Sequence, residues 1–281
     1  MNIYQQLWQS LTPLYEPREA QALLRTVLEV KYGMTLTDII CGKVNELFAE
    51  ESKDLEKIIE KLKNSEPVQY ILGEALFAGR IFHVEPGVLI PRPETAELCD
   101  WVTLDEKARN RHPLKLLDLC TGSGCIAITL ALNLPWAEVS AVDISNIALQ
   151  VAKENATRLK AQISYYLASV ENLPREVGKW DTIVSNPPYI CEKEKKNISK
   201  NVLDYEPELA LFVPDEDPLR FYRAIAQYAT TALKPGGSLY FEINPLYAKE
   251  TRDLLAALNF CEIEVRKDLE GKERMVKGIR N

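Results

Sequence analysis

The sequence predicts an α/β protein: a doubly wound, mostly parallel sheet behind a small N-terminal helical domain. Three observations carry that expectation. From about residue 114 onward, short apolar runs alternate with helical periodicity, the pattern of repeated strand–helix–strand units. The first of those runs ends in a glycine-containing loop that opens a helix, and the next ends in an acid. The first 75 residues show helical spacing alone.

Residues 1–75 read as a helical bundle. Pro17 suits a first helical turn and Gly33 a helix end, and between them Ala20, Leu23, Leu24, Val27 and Leu28 recur at helical spacing. A second helix is expected near Ser52 to Asn64, with Ser52 as N-cap and Leu55, Ile58, Ile59 and Leu62 as its apolar stripe. No polar cluster there suggests chemistry, so the expected use is binding. In residues 76–90, Phe77, Ile81, Phe82, Val84, Val88 and Leu89 are strand formers, broken by Gly79 and Pro86-Gly87. This reads as a β-hairpin linking two domains. Residues 91–281 form the second domain. Its expected strands are Lys115 to Leu119, Glu138 to Val142, Ile163 to Leu167, Thr182 to Ser185 and Ser238 to Ile243, with two more near the C-terminus. Helices are expected at Cys125 to Asn133, Ser145 to Leu159, Leu219 to Leu233 (ended by Pro235-Gly236-Gly237) and near Ala248 to Leu258. Ligands of such a sheet bind at the carboxyl ends of the strands, near the point where strand order reverses.

Composition narrows the function. In the 281 residues, 46% are apolar and 27% charged, as in soluble globular proteins. No run approaches the roughly 18 apolar residues of a membrane span. The N-terminus, Met1 to Leu11, lacks the basic-then-apolar order of a signal peptide, so a cytoplasmic location is expected. A net charge of −7 argues against a nucleic-acid grip, which usually shows a basic face. The six cysteines form no C-x-x-C pair, and His83 and His112 are the only histidines. That spacing argues against a metal site and against histidine-based catalysis.

The first strand runs into Asp118-Leu119-Cys120-Thr121-Gly122-Ser123-Gly124, and Asp143 follows 19 residues after Gly124. A carboxylate at that strand end can accept both hydroxyls of a ribose. The plain alternative is a tight turn. Two ligand classes fit the loop. Gly122 to Ala127 matches the G-x-G-x-x-A dinucleotide pattern, with an acid about 20 residues on. With Asp118 ahead of the glycines, the loop also resembles the adenosylmethionine loop of class I methyltransferases. The loop alone does not separate the two.

Ser185-Asn186-Pro187-Pro188-Tyr189 is the most specific signal. A strand ending in a proline turn would explain Asn-Pro, but not this tetrapeptide at the ligand edge of an alternating sheet. An amide or exocyclic amino nitrogen is a poor nucleophile, because its lone pair is delocalised. Two acceptors for its two N–H bonds orient it and enrich it in electrons. The Asn186 side-chain oxygen supplies one and the Pro187 carbonyl the other. Pro188 holds Pro187 extended and so fixes that carbonyl's direction, while Pro187 offers no competing N–H. Tyr189 offers a flat ring for a planar group. Such a motif serves adenine in nucleic acid or glutamine in protein.

Beyond the tetrapeptide, the chain resembles the PrmC/HemK family, which methylates glutamine in release factors. The resemblance lies in Glu66 to Gly73, Phe77 to Arg80, Val88 to Thr95, Tyr205 to Leu211, Leu233 to Gly237, Glu242-Ile243 and Lys267 to Gly271, and covers almost the whole chain from Glu66. It implies a class I, Rossmann-like methyltransferase fold with a helical domain in front. It implies that Asp118, Cys120, Thr121, Gly122, Ser123, Gly124, Asp143, Val170 and Asn186 bind S-adenosyl-L-methionine. Asn186, Pro187, Pro188 and Tyr189 would bind the glutamine amide, with Arg92 beside it. The implied partners are class I release factors, with no membrane and no direct nucleic-acid contact. Ile90 to Thr95 read equally as a proline-rich start to the next helix. Lys193, Lys195, Lys196 and Lys200 read as a solvated, mobile loop. The chain departs from the family pattern at Cys120, where glycine is usual, and near Ser169-Val170, where an acid is usual. It departs also at Ala96, where glutamate is common, and at Asn244 and Tyr247, where glycine and glutamine are usual. These changes bear on cofactor affinity more than on reaction class. An adenine-N6 methyltransferase remains the alternative, but it should carry a basic sequence-reading insertion that this chain lacks. A non-catalytic or dinucleotide-binding protein that kept the fold is the third reading.

Overall fold

The apolar stripes of the N-terminal region close on one another in the computed structural model, which describes residues 3–281. The chain divides into two units. The first holds residues up to Glu74 together with Ser199–Tyr205, and the second Ala75–Ile198 with Glu206–Asn281. In the first unit lie α1 (Ile3–Gln9), α2 (Pro17–Tyr32), α3 (Leu36–Ile40), α4 (Ala49–Lys63) and α5 (Val68–Leu72). Their core combines Ala20, Leu24, Val27 and Leu28 of α2 with Leu55, Ile58, Ile59 and Leu62 of α4. Gly33 ends α2 with left-handed φ, as its position in the sequence requires. Ser52 is not the N-cap of α4. That helix begins three residues earlier, where the Glu51 carboxylate accepts the Phe48 N–H at 2.9 Å, and an acid in the first turn also suits the helix dipole.

The second unit opens with a hairpin, β1 (Glu74–Phe77) and β2 (Arg80–His83). Phe77 and Phe82 meet edge to face, with ring centres 5.7 Å apart, and are buried with Leu98, Trp101 and Ile126. The hairpin therefore packs as part of this unit's core. The chain continues through α6 (Pro93–Arg109), β3 (Leu114–Leu119), α7 (Cys125–Asn133), β4 (Ala137–Asp143), α8 (Asn146–Leu159), β5 (Ile163–Leu167), β6 (Trp180–Ser185) and β7 (Ile190–Cys191). It closes with α9 (Lys200–Tyr205, in the first unit), α10 (Glu208–Leu211), β8 (Phe212–Val213), α11 (Arg220–Ala232), β9 (Leu233–Glu242), α12 (Ala248–Ala257), β10 (Phe260–Lys267) and β11 (Glu273–Arg280).

Seven strands form one sheet in the order β10-β11-β9-β6-β3-β4-β5. Pairings from β9 to β5 are parallel, and β11 runs antiparallel to both its neighbours. Residues one apart on a strand point to opposite faces, so one apolar run serves two cores. Leu117, Ile183 and Phe241 pack with α11 residues on one face, while Leu116, Val184 and Tyr240 pack with α6 and α7 on the other. β3 and β6 are buried along nearly their whole length, as central strands covered on both faces are, although β6 carries Asp181, Thr182 and Ser185. Pro235-Gly236-Gly237 does not separate a helix from a strand. It lies inside β9, where the register with β6 slips between Trp180–Leu233 and Thr182–Ser238.

Strand order reverses at β3, which has β4 on one side and β6 on the other. Leu119 pairs with both Val142 and Ser185. Cys120, Asp143 and Asn186 thus leave the sheet side by side.

Candidate active site

The first wall of this edge is the glycine loop. Thr121 N–H donates to the Val142 carbonyl at 3.1 Å, and Gly124 N–H to the Thr121 carbonyl at 2.9 Å. Gly124 caps α7 at φ +81°. A Cβ there would lie 3.0 Å from Ala152 Cβ and 3.2 Å from Ala152 Cα, so only glycine lets the loop sit on α8. Gly122, at φ +54°, would meet nothing within 4 Å and faces open space. Asp143 pins the loop: its Oδ2 accepts Gly122 N–H at 2.9 Å and its Oδ1 accepts Ser145 N–H at 2.8 Å. Burial raises its carboxyl above the usual range, and those backbone bonds oppose the rise. Beneath the loop, Asp118 is fully buried. Its Oδ2 accepts the Thr121 hydroxyl at 2.6 Å and the Ala127 N–H, in the first turn of α7, at 3.2 Å. Its Oδ1 is buried without a partner, and burial pushes the carboxyl up to about 7.

The second wall is the tetrapeptide. The Ser185 hydroxyl donates to the Leu119 carbonyl at 2.7 Å and holds the end of β6 against β3. Asn186 donates through Nδ2 to Thr95 Oγ1 at 3.2 Å, and Thr95 donates to Glu242 Oε2 at 2.6 Å. The Tyr189 hydroxyl donates to the other Glu242 oxygen at 3.0 Å, and the Tyr189 carbonyl accepts Asn244 Nδ2 at 3.1 Å. Arg92 pairs with the buried Glu206 at 2.5 Å, whose second oxygen accepts Ile90 N–H at 3.1 Å. That pair ties the Ile90–Arg92 turn to the start of the Pro207 segment.

The walls enclose a cavity of about 550 Å³. Of the expected site residues, Arg92, Cys120, Thr121, Gly122, Ser123, Asp143, Val170, Asn186 and Pro188 line it. Asp118, Gly124, Pro187 and Tyr189 stand behind the lining. Asp118 is a strut under the loop rather than a contact surface, because it is fully buried and its Oδ2 holds Thr121 and the first turn of α7. Gly124 is pressed against α8. Tyr189 packs on the core and anchors on Glu242, so its ring is not an open stacking platform. In the Ile90–Thr95 run, Pro93 opens α6, while Pro91, Arg92 and Thr95 line the cavity. Glu171 lies on the same wall as Ser169 and Val170, but Arg220 holds both its oxygens, at 2.7 and 2.9 Å. The lysine-rich stretch is not an open loop. Glu192–Asn197 form a 3-10 turn in which Glu194 accepts Cys191 N–H, and Lys195 pairs with Glu192 and Glu208.

Sequence reading assigned no role to Thr95, Glu206 or Glu242. All three lie inside the family-like runs, and only Glu242, in the apolar Leu239 to Ile243 strand, stands out by its polar character. Among the described residues, no cluster of His, Cys, Asp or Glu is arranged to hold a metal, and no helix is long and apolar enough to cross a membrane.

A mostly parallel seven-stranded sheet in this order, with β11 antiparallel between β10 and β9 and the glycine loop pinned by the acid of the neighbouring strand, is the fold of a class I adenosylmethionine-dependent methyltransferase. The methyltransferase small domain matches residues 102–208, and the PrmC N-terminal domain matches residues 10–73. The chain is 48% identical over 269 residues to the release factor glutamine methyltransferase of Bacteroides thetaiotaomicron, covering 95% of each chain. It is 42% identical to that of Flavobacterium psychrophilum, covering 98% of this chain and 97% of the relative. A Pyrococcus furiosus methyltransferase structure shares the fold, with a TM-score of 0.52 at 14% identity over 83% of this chain and 100% of that one. The chain belongs to the release factor glutamine methyltransferase family.

Proposed function

We propose that this enzyme methylates the side-chain amide nitrogen (N5) of the glutamine in the Gly-Gly-Gln loop of class I release factors, with S-adenosyl-L-methionine as cofactor. The choice of glutamine over adenine is carried by the family, whose members are named release factor glutamine methyltransferases, and the residue that would do the work is Asn186. It lines the cavity with its amide nitrogen already engaged by Thr95, which leaves its oxygen to accept from a substrate N–H. The cavity fits the cofactor. About 550 Å³ lies within the roughly 300–1,000 Å³ typical of ligand pockets. Gly122 leaves open space beside it, and the Asp143 carboxylate stands on its wall with lone pairs left for ribose hydroxyls. Thr121, Ser123, Cys120 and Val170 complete the cofactor wall.

When bound, the cofactor supplies an electrophilic methyl group on an excellent leaving group. The protein's part is positioning and preorganised acceptors. Asn186 Oδ1 takes one N–H bond of the glutamine amide and turns its nitrogen toward the methyl; the second-acceptor role expected of the Pro187 carbonyl rests on the motif alone, because Pro187 stands behind the lining. Pro188 and Arg92 shape the entrance for the glutamine chain. The surplus proton leaves to solvent, so no dedicated base is required.

Selectivity for one glutamine needs contacts away from the chemistry. The helical domain, residues 1–75, is the docking surface in this reading. Leu36 and Ile40 of α3 and Phe48, the residue before α4, are exposed apolar side chains there. Changing Ile40 and Phe48 to Glu should raise KM for the intact factor at least about tenfold, with cofactor affinity unchanged. An unchanged KM would move docking elsewhere. The proposed substrate places the enzyme in the cytoplasm, with no nucleic-acid contact of its own.

The test is direct. The enzyme is incubated with methyl-labelled cofactor and, separately, a purified class I release factor, DNA and RNA. Label should appear on one glutamine of the factor. Label in nucleic acid with none in the factor would replace this reading with adenine methylation.

A further inference from the structure

Glu242 is a buried carboxylate for which the transfer chemistry has no use. It is 1% exposed at the end of β9. A carboxylate accepts hydrogen bonds and donates none. Both oxygens are occupied by hydroxyl donors, Thr95 at 2.6 Å and Tyr189 at 3.0 Å. Thr95 has one hydroxyl proton, and it points to Glu242. Its oxygen can therefore only accept, and the group that donates to it is the Asn186 amide nitrogen, at 3.2 Å. Rotating the Asn186 amide by half a turn would set its oxygen against the Thr95 oxygen, with no proton between them. That arrangement forfeits one hydrogen bond and adds repulsion in a site screened from water.

We infer that Glu242 and Thr95 are positioning residues: together they dictate which end of the Asn186 amide faces the substrate. This rests on the reading that Asn186 accepts from the substrate amide. An Asn side chain offers a donor and an acceptor of nearly equal shape. A site that must catch an N–H needs the acceptor forward each time, and a one-directional relay ending in a fixed anion enforces it. Tyr189 gives the anion its second donor and holds the far end of the tetrapeptide to the same group.

The relay also implies a pH dependence. Burial raises the Glu242 carboxyl above its usual range, opposed by the Thr95 and Tyr189 hydrogen bonds and by Arg274 of β11. The other titratable groups around it are Glu94 and Cys99 of α6, Cys125 of α7 and Tyr222 of α11. Once protonated, Glu242 can donate to Thr95, and the relay loses its direction. Turnover should fall as pH drops through this raised value and be retained above it.

The test uses full-length Thr95→Val, Thr95→Ser and Glu242→Gln. Thr95→Val keeps the side-chain shape and should lower kcat on the release factor about 30-fold or more, with KM and cofactor affinity within about threefold. Thr95→Ser restores the hydroxyl and should recover kcat to within about fivefold of wild type. Glu242→Gln should turn over more slowly and lose the fall at low pH. Hydrogen exchange of the Asn186 side-chain amide, assigned by its absence in Asn186→Ala, should be slowed in wild type and fast in Thr95→Val. Wild-type kcat in Thr95→Val, equal damage in Thr95→Ser, or identical amide exchange in wild type and Thr95→Val would each overturn the relay. If the wild-type enzyme leaves the factor unmodified, the functional reading fails instead, and the amide-exchange comparison still decides the relay.

Discussion

The two walls of the cavity are built by opposite means. The glycine-loop wall is held within one strand–helix–strand–helix stretch: Asp118 to Thr121 and Ala127, 3 and 9 residues away, and Gly122 to Asp143, 21 away. The tetrapeptide wall is held by side chains brought from far along the chain. Thr95 is 91 residues from Asn186, and Glu242 is 53 from Tyr189. A wall made of its own backbone resists rearrangement and presents a fixed cradle. A wall assembled from distant side chains can aim one amide, but depends on each bracing partner. Damage to the first should therefore appear in cofactor binding and stability, and damage to the second in the chemical step.

Gly124→Ala should break the first wall most severely. The new Cβ must occupy left-handed backbone and lies 3.0 Å from Ala152. The expected cost is about 2–3 kcal/mol of stability, with cofactor affinity down at least about tenfold. Gly122→Ala, in open space, should cost only about 1 kcal/mol. Denaturant unfolding and calorimetry on both variants check the difference, and equal costs would mean that contact with α8 is unimportant.

Glu206→Ala probes a brace on the other side. It leaves the Ile90 N–H and the Arg92 guanidinium without their partner. Stability should fall by about 1–3 kcal/mol, and KM for the release factor should rise while cofactor affinity holds. A loss confined to cofactor affinity would assign Ile90–Arg92 to the first wall.

The smallest effect concerns pH. Asp118 holds its proton up to about pH 7 in the fold, against about 4 in an unfolded chain. A raised carboxyl contributes stability that is fully present below pH 4 and is lost as pH rises toward 7. Asp118→Asn should remove that slope from a plot of Tm against pH. A slope left intact would place its origin elsewhere.

The same division explains what could be read from sequence. The sheet elements are legible because short apolar stretches such as Leu116-Leu117 of β3 and Ile183-Val184 of β6 alternate with helical periodicity. The glycine loop is legible because its partner Asp143 ends the very next strand, at a fixed 21-residue distance from Gly122. The cap of α4 was misread because Glu51 competes successfully with Ser52 for that end, which residue type alone does not reveal. Asp118 and Tyr189 were recognised as important but misplaced, since spacing does not tell a strut from a lining residue. Thr95 and Glu242 were visible inside family-like runs, yet their hydrogen bond spans 147 residues, and no periodicity connects them. The grouping of Ser199–Tyr205 with the helical unit, where the Tyr205 hydroxyl donates to the Asn64 carbonyl, left no mark in spacing for the same reason.

The most direct measurement of the account is single-turnover methylation of a class I release factor by Asn186→Ala saturated with cofactor, followed by mass spectrometry of the Gly-Gly-Gln glutamine. Cofactor should bind with near wild-type affinity, because the glycine-loop wall is untouched. Methyl transfer to that glutamine should slow by about 100-fold or more, as expected on losing a preorganised acceptor. Transfer at the wild-type rate, or a variant that fails only because it no longer binds cofactor, would contradict the division of labour between the two walls.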